Sequence, residues 1–308
     1  MQRSRLLGLL AAAPLAVPGT VSAQTRTIRY GSAINDSYAQ AFFAADQGFF
    51  TKAALDVDVQ TFANAPAIVQ AVIGNALDVG TADPIQLGNA FNHGIPLAFF
   101  AGGGLYRSSA PTTMLSASTT GSIRSIKDLA GQSIAIIALS STGATALRVL
   151  LQQNGVDPAQ VKFFELPFAS MAAALQRGTV SAALIAEPFL SQEKASLRFI
   201  GDPQSVIGKE FYVAATFATR SWLTQNRQLA QTLTQTLYAT ARWSNTHHDD
   251  SAVILSKYTK LDIATIRAMT RVAYATSLEP RLIQPVLDFA YKVGSLSTPV
   301  KATDIIAT

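Results

Sequence analysis

The chain has 308 residues, with 24 lysines and arginines, 19 acidic residues, three histidines and no cysteine. The net charge of +5 is modest, and no basic run or basic stripe interleaved with aromatic residues occurs, so a nucleic-acid partner is not expected. The lack of cysteine excludes a disulfide framework, a thiolate nucleophile and a cysteine metal site. We therefore expect a globular chain of one large or two medium domains, without a lipid-modified cysteine.

The N-terminus predicts a secretory signal peptide over residues 1–23. Arg3 and Arg5 precede an apolar run at 6–17, and small residues lead to Ala23, which is the order of basic, apolar and cleavage regions in such signals. Pro14 and Pro18 interrupt the run, which is shorter than the roughly 20 apolar residues of a membrane-spanning helix. We expect cleavage after Ala23 and, without a cysteine to carry lipid, a free periplasmic protein.

From residue 27 onward, short β-rich runs alternate with helical runs, as in parallel sheets with crossover helices. The first series has predicted strands at 27–31, 55–62, 77–81 and 96–100, and helices at 38–47, 65–73 and 84–92. The second series has strands at 133–138, 161–166 and 180–185, and helices at 142–154 and 170–177. Beyond residue 221 the pattern is helical, with no good strand.

These patterns predict two α/β lobes joined by two crossover strands, at 112–117 and 211–217, with a helical C-terminal tail packed on the first lobe. Lobe 1 is expected to comprise residues 24–111 and 217–308, and lobe 2 residues 112–216.

The two series also match each other along the chain. A shift of 104 residues lays residues 57–84 over 161–188 without a gap, and both copies end in a carboxylate followed by proline, at Asp83 and Glu187. Because ligands bind outside the carboxyl ends of strands in open α/β sheets, we expect these two carboxylates on opposite walls of one crevice.

Several motifs in a fixed order carry a family resemblance. They are ADQGFF at 45–50, DVGTAD at 78–83, SIKDLAG at 125–131, SSTG at 140–143, NGVDP at 154–158 and AEPF at 186–189. Together they resemble the nitrate, sulfonate and taurine type of ABC-transporter substrate-binding proteins, which includes members that bind thiamine-pyrimidine precursors. The resemblance covers residues 28–217, with a compatible helical tail.

The resemblance implies a type II periplasmic binding fold that closes over its ligand and docks on an inner-membrane permease. We therefore expect a monomeric solute-binding component of an ABC importer. Its ligand would be a sulfonate, a related organic anion or a nitrogen heterocycle. The alternative is a periplasmic enzyme or sensor domain on the same fold.

Polar residues between predicted strands and helices are the first candidates for ligand binding. Ser140, Ser141 and Thr142 stand where hydroxyls and free N–H groups meet the positive end of a helix, which suits an anionic or strongly polar group. Asn35 and Tyr38 occupy the matching place in the first lobe. The alternative for the hydroxyl residues is ordinary helix capping.

Two further pairs align under the 104-residue shift. Asn64 could donate a hydrogen bond from its amide, and Phe168 could stack on a ligand or pack in the core. Asp83 and Glu187 could accept hydrogen bonds from a ligand amine or ring N–H, or could brace the loops.

Arg107 and Tyr212 are weaker candidates near the cleft mouth. A solvated loop is the alternative for the arginine, and packing at a hinge is the alternative for the tyrosine.

The sequence offers little support for catalysis. It contains no nucleophile elbow, Walker loop or dinucleotide-binding glycine motif. An acid–base pair of Asp83 and Glu187 across the crevice is the form that an enzyme would take. The acidic and histidine residues at 247–250 open a predicted helix, where acids suit the helix dipole. We therefore expect no catalytic residues, no metal and no cofactor.

Overall fold

The computed structural model describes residues 26–307. The predicted signal peptide and its cleavage site lie outside the described residues. Among the helices between residues 26 and 307, none combines the length and hydrophobicity needed to cross a bilayer.

Strands and helices alternate through both halves of the chain. The first nine elements are β1 (Ile28–Ala33), α1 (Gln40–Asp46), α2 (Phe49–Lys52), β2 (Val57–Phe62), α3 (Ala65–Ile73), β3 (Val79–Ala82), α4 (Pro84–Asn92), β4 (Leu97–Gly102) and β5 (Gly104–Arg107). The next nine are β6 (Thr113–Ser118), β7 (Ser133–Ile136), α5 (Thr142–Gln153), β8 (Lys162–Glu165), α6 (Phe168–Gln176), β9 (Ala182–Ala186), α7 (Phe189–Gln192), β10 (Leu197–Gly201) and β11 (Glu210–Tyr212). The last seven are β12 (Ala215–Thr219), α8 (Arg220–Gln225), α9 (Arg227–Ser244), α10 (His248–Thr259), α11 (Ile263–Ala268), β13 (Ala273–Tyr274) and α12 (Pro280–Lys292).

Two five-stranded sheets of the same design form the centres of the two lobes. The first has the order β2-β1-β3-β12-β4 and the second β8-β7-β9-β6-β10. In each, three strands run parallel and one antiparallel strand follows, β12 in the first and β6 in the second. That antiparallel strand is the one on which the chain enters the sheet from the other lobe. The α/β fold with two lobes and two crossover strands is thereby confirmed.

The internal match at 104 residues also holds in three dimensions. After that shift, β2, α3 and β3 lie within one residue of β8, α6 and β9 at every boundary. Because both series end their parallel strands toward the same cleft, equivalent loops from the two lobes face each other.

The two crossings are more elaborate than the sequence pattern indicates. The run predicted at 211–217 is divided into β11 and β12. Strand β11 pairs with β5, and β13 pairs with the other side of β5, making a three-stranded sheet. Strand β12, which begins at Ala215, pairs within the first sheet. The lobe boundaries at 111/112 and 216/217 stay predictions.

The C-terminal tail packs on the first lobe, as predicted. Leu233 and Leu237 of α9 lie in one core with Ile28 and Tyr30 of β1, and α12 packs its apolar face into the core on the other side of the sheet. The expectation that this tail contains no strand was wrong, because β13 pairs with β5. Two residues are too few to show the alternation that identifies a strand.

Close packing of helix on sheet depends on small residues in the strands. A Cβ added at Gly80 of β3 would lie 2.3 Å from Cγ2 of Ile68 in α3. Glycine at this point therefore lets α3 approach the sheet, which brings the first residues of that helix to the cleft.

Candidate functional site

A cavity lies in the cleft where the carboxyl ends of the central strands of both sheets meet. Its volume is about 90 Å³, well above the roughly 10–15 Å³ that one buried water needs, so it has room for a small molecule. Seven of the predicted binding residues line it. They are Asn35, Tyr38, Asn64, Asp83, Ser141, Thr142 and Phe168.

Asp83 joins the two lobes at the centre of this cavity. It follows β3 and caps α4, since its Oδ1 accepts hydrogen bonds from the backbone N–H groups of Ile85 (2.9 Å) and Gln86 (3.3 Å). The same carboxylate accepts from Thr142 at the start of α5, from its Oγ1 at 2.8 Å and its backbone N–H at 3.4 Å. The N-termini of two helices, one from each lobe, thus share one carboxylate.

Burial and hydrogen bonding act in opposite directions on this carboxyl group. Asp83 is only 4% exposed, and desolvation raises its pKa to about 6, against the lowering effect of the hydrogen bonds from Thr142, Gln86 and Ile85. The pKa of the neighbouring Tyr38 lies well above its ordinary value, first because of burial and then because of the negative charge on Asp83. Tyr38 is therefore a neutral phenol that can donate a hydrogen bond.

Five polar side chains of the cavity wall make no hydrogen bond within residues 26–307: those of Asn35, Ser37, Tyr38, Thr113 and Gln204. The carboxamides of Asn35 and Gln204 belong to residues that are each only 6% exposed. Their polar atoms are open to the cavity, because the one fully buried side-chain polar atom without a partner in residues 26–307 is Nε1 of Trp222. These groups are therefore available to a ligand. Sequence reasoning missed Gln204, because it lies in a short 3₁₀ turn at Pro203–Val206 with no motif of its own.

Asn64 and Ser141 serve as helix caps as well as lining the cavity. The Oδ1 of Asn64 accepts from the backbone N–H of Ala67 (3.0 Å), capping α3, and Oγ of Ser141 accepts from the N–H of Ala144 (3.2 Å), capping α5. The amide nitrogen of Asn64 is thus the group left for a ligand. The ring of Phe168 forms one wall and stacks on Phe189 with 6.4 Å between centroids.

Ser140 and Glu187 do not line the cavity. Ser140 is exposed and accepts hydrogen bonds from Nε2 of Gln86, at its carbonyl (3.0 Å) and its hydroxyl (3.3 Å). That contact links α4 to the loop before α5 and holds the lobes together beside Asp83.

Glu187 is buried within its own loop instead of facing Asp83. Its Oε2 accepts from the backbone N–H of Ser191 (3.0 Å) and its Oε1 from the hydroxyl of the same serine (2.8 Å). Burial raises its pKa to about 7. Its carbonyl accepts from the N–H of Asp36 (3.1 Å), whose buried carboxylate pairs with Arg271 at 3.0 Å. The expectation that Asp83 and Glu187 lie on opposite walls of one crevice was wrong. Asp83 accepts a hydrogen bond from Thr142 across the cleft, whereas Glu187 accepts its hydrogen bonds from Ser191 within its own loop.

Arg107 and Tyr212 also lie away from the cavity lining. Nε of Arg107 donates to Oε1 of Glu210 at 2.8 Å on an exposed surface. Tyr212 is fully buried, and its hydroxyl donates to the carbonyl of Ser277 (2.8 Å). Its position is that of a packing residue where β11 meets the tail.

A second depression of about 490 Å³ shares no residue with the cleft cavity. It is lined by α8, the first half of α9 and neighbouring residues, including Arg220 and Arg227. None of the residues predicted from the sequence contributes to it, and no parallel strand of either sheet ends there. Within the described part of the chain, no group of three or more histidine or acidic side chains could hold a metal ion.

Solved structures with the same fold are numerous. The alkanesulfonate-binding protein SsuA from Xanthomonas axonopodis pv. citri bound to MOPS has a TM-score of 0.76 at 18% identity, covering 91% of this chain and 98% of that chain. The periplasmic aliphatic sulphonate binding protein SsuA from Escherichia coli has a TM-score of 0.71 at 19% identity, covering 92% of each. The periplasmic nitrate-binding protein NrtA from Synechocystis PCC 6803 has a TM-score of 0.77 at 16% identity, covering 92% of this chain and 85% of that chain.

These likenesses show that the chain has the fold of periplasmic binding proteins. A comparison with curated protein sequences gives no significant match. A family model described as NMT1/THI5 like, however, matches residues 35–250, which is well over half of the chain and includes almost the whole cavity wall. The resemblance read from the motifs is thereby confirmed, and the chain belongs to the NMT1/THI5-like family.

Proposed function

We propose that this protein is the periplasmic substrate-binding component of an ABC importer, which captures a small organic molecule between its lobes and delivers it to a membrane permease. The observation that carries the proposal is the cleft cavity, where strand ends of both lobes converge on polar side chains that make no hydrogen bond within residues 26–307. Similar proteins of known structure are named as binders of alkanesulfonates and of nitrate.

Closure over a ligand is supported by the contacts between the lobes. Asp83 accepts from Thr142, Gln86 donates to Ser140, and the hydroxyl of Tyr106 donates to Asp202 at 2.7 Å. Water can solvate these groups in an open form, so opening the cleft costs about 0.5–1.5 kcal/mol for the neutral contact and about 1.5–3 kcal/mol for each contact to a carboxylate. A binding protein that must release its cargo needs such a balance.

The export part of the proposal comprises cleavage after Ala23 and release of a monomer into the periplasm. Mass spectrometry of the protein recovered from an osmotic-shock fraction should show a chain that begins at Gln24. Gel filtration of that chain should give the mass of a single copy. Recovery of the uncleaved chain from the cytoplasm would contradict the export step.

Ligand capture can be tested on the mature protein by thermal shift across sulfonates, other organic anions, nitrogen heterocycles and amides. A ligand at 100 times its Kd should stabilise the folded state by about 2.7 kcal/mol. The bound molecule should be recovered unchanged after prolonged incubation. Failure of every compound, together with no small molecule released on denaturation, would refute the binding function, and conversion of the ligand would favour an enzyme.

A further inference from the structure

The depression beside α8 and α9 is large enough to be a binding site of its own. Its volume of about 490 Å³ falls within the roughly 300–1,000 Å³ of small-molecule pockets. Phe100 of β4 and Ala307 line it together with the two helices. Because it shares no lining residue with the cleft cavity, a ligand bound here would not compete directly with one in the cleft.

The wall of this α8–α9 depression is positively charged. Arg220 and Arg227 line it, and no aspartate or glutamate is among its lining residues. The two helices together, residues 220–244, contain three arginines and no acidic residue. Arg227 is exposed, and its side chain makes no ion pair or hydrogen bond within residues 26–307. A concave surface lined by charge of one sign attracts ligands of the opposite sign.

Arg220 is held in place without losing its charge. Its Nη2 donates to the backbone carbonyls of Asp304 (2.5 Å) and Ile306 (3.5 Å). These carbonyls orient the guanidinium group but do not neutralise it, and no carboxylate within residues 26–307 forms an ion pair with it. The Nε and Nη1 groups have no acceptor in the described part of the chain, so they are available to a ligand. Guanidinium groups bind carboxylates and phosphates through paired hydrogen bonds.

A row of polar side chains continues from Arg227 along α9. Arg227, Gln231 and Gln235 are spaced by four residues, which places them on one face of the helix, and all three line the depression. The carboxamides of the two glutamines make no hydrogen bond within residues 26–307, and each can donate to an anionic oxygen. The row begins at the N-terminus of α9, where the helix dipole favours negative charge. Asn226 does not cap that end, because its Nδ2 donates to the carbonyl of Trp222 (2.8 Å).

The rest of the wall is mainly apolar. Phe100, Leu223 and Ala230 belong to it, and the hydroxyl of Thr234 is turned back to the carbonyl of Ala230 (2.8 Å). The ring of Phe100 packs against that of Trp222 with 6.3 Å between centroids, so its position is fixed. The depression therefore offers apolar contact beside two cations, which suits a ligand with acidic groups on an apolar body.

We propose that the α8–α9 depression is a second binding site, which takes an organic dianion, a dicarboxylate or a phosphate monoester, with a small apolar body. Arg220 and Arg227 bind the acidic groups, the carboxamides of α9 donate further hydrogen bonds, and Phe100 contacts the apolar body. The proposal does not depend on the function of the cleft, since the two sites have no residue in common.

Phthalate and phenyl phosphate, with neutral phthalamide as the control, test the requirement for charge. Isothermal titration calorimetry on the mature protein at neutral pH and low salt should show at least one of the dianions binding at least roughly tenfold more tightly than phthalamide. Raising the salt concentration from about 0.05 M to about 0.5 M should weaken that binding. If neither dianion binds more tightly than phthalamide, or if salt has no effect on the affinity, the proposal is overturned.

Two arginine variants of equal net charge locate the bound anion. Arg227→Gln removes a charge from the depression and should weaken dianion binding about three- to tenfold. Arg242→Gln is the matched control, because Arg242 is an exposed arginine in the last turn of α9 and does not line the depression. It should change the affinity by less than about twofold. Equal weakening in both variants would indicate attraction to overall charge, and unchanged affinity in Arg227→Gln would place the anion elsewhere, the cleft included; either result overturns the proposal.

Vesicles of phosphatidylglycerol separate a soluble anion from a lipid headgroup, which carries the same phosphate chemistry. Because the two arginines line a concave depression, a soluble molecule is the expected occupant, and the protein should stay in the supernatant when the vesicles are sedimented. Co-sedimentation that is lost in Arg227→Gln and kept in Arg242→Gln would assign the arginines to a membrane surface and overturn the proposal of a small-molecule site.

Discussion

Replacement of Asp83 with asparagine tests how burial controls a carboxyl group shared by two helices. Burial raises the pKa of Asp83 from 3.8 to about 6. Because the folded protein holds this proton more tightly than the unfolded chain does, the contribution of Asp83 to the free energy of unfolding is fully present below pH 3.8. It is lost as the pH rises through about 6.

The size of this effect follows from the two pKa values. The total change is about 3 kcal/mol, and about 2 kcal/mol of it falls between roughly pH 4.5 and roughly pH 7.5. Asparagine does not titrate, and it can still cap α4. The free energy of unfolding of the unmodified protein minus that of Asp83→Asn should therefore fall by about 2 kcal/mol over this pH range.

Urea unfolding followed by circular dichroism at several pH values measures this difference. Asp78→Asn is the matched control, because Asp78 is buried beside Arg29 and Arg26 and its pKa is lowered. Both its folded and unfolded pKa values then lie below the measured range, so its difference curve should be flat. A flat curve for Asp83→Asn, or one that rises with pH, would refute the reasoning.

Two further substitutions probe the supports of the cavity. A Cβ at Gly104 would lie 2.6 Å from the carbonyl oxygen of Ser37, a residue of the cavity wall. Gly104→Ala should therefore displace the loop that contains Ser37 and lower the free energy of unfolding by about 1–3 kcal/mol. The Tm should fall, and binding of the small molecule that co-purifies with the protein should weaken. Gly208→Ala, with open space around it, should change neither. Arg271→Met would leave the buried carboxylate of Asp36 unpaired, and urea unfolding should show a loss of about 3–5 kcal/mol. If the free energy of unfolding fell by less than about 1 kcal/mol, the ion pair of Arg271 and Asp36 would contribute no more to stability than an exposed one does.

Much of the fold could be predicted because local patterns carry it. The strand β9 is buried at every residue, as the apolar run of a central parallel strand predicts, and α5 begins directly after the serine that caps it. The weak elements escaped prediction. Strand β13 has two residues, and its pairing with β5 joins segments almost 170 residues apart, a distance at which no periodicity in the sequence carries a signal.

At the candidate site, too, some residues could be predicted from local sequence patterns and others could not. Strand-end loops were a sound guide, and seven of the nine main candidates line the cavity; that they contact ligand stays a prediction. Ser140 and Glu187 were placed by the same logic but lie outside the lining, because each is engaged by a neighbouring group. Gln204 enters from a turn that has no sequence signature.

The sequence by itself determined the family, the two-lobed α/β design and the loops that meet at the cleft, because hydrophobic periodicity, capping residues and motif spacing are local properties. Only the tertiary structure decided that Asp83 bonds to Thr142 across the cleft and that Glu187 turns into its own loop. It also decided that the carboxamides of Asn35 and Gln204 face the cavity without a hydrogen bond to any other group in residues 26–307. Those outcomes depend on where the two lobes meet in space, and hydrogen-bond geometry within about 3 Å is set by that packing and not by the order of residues.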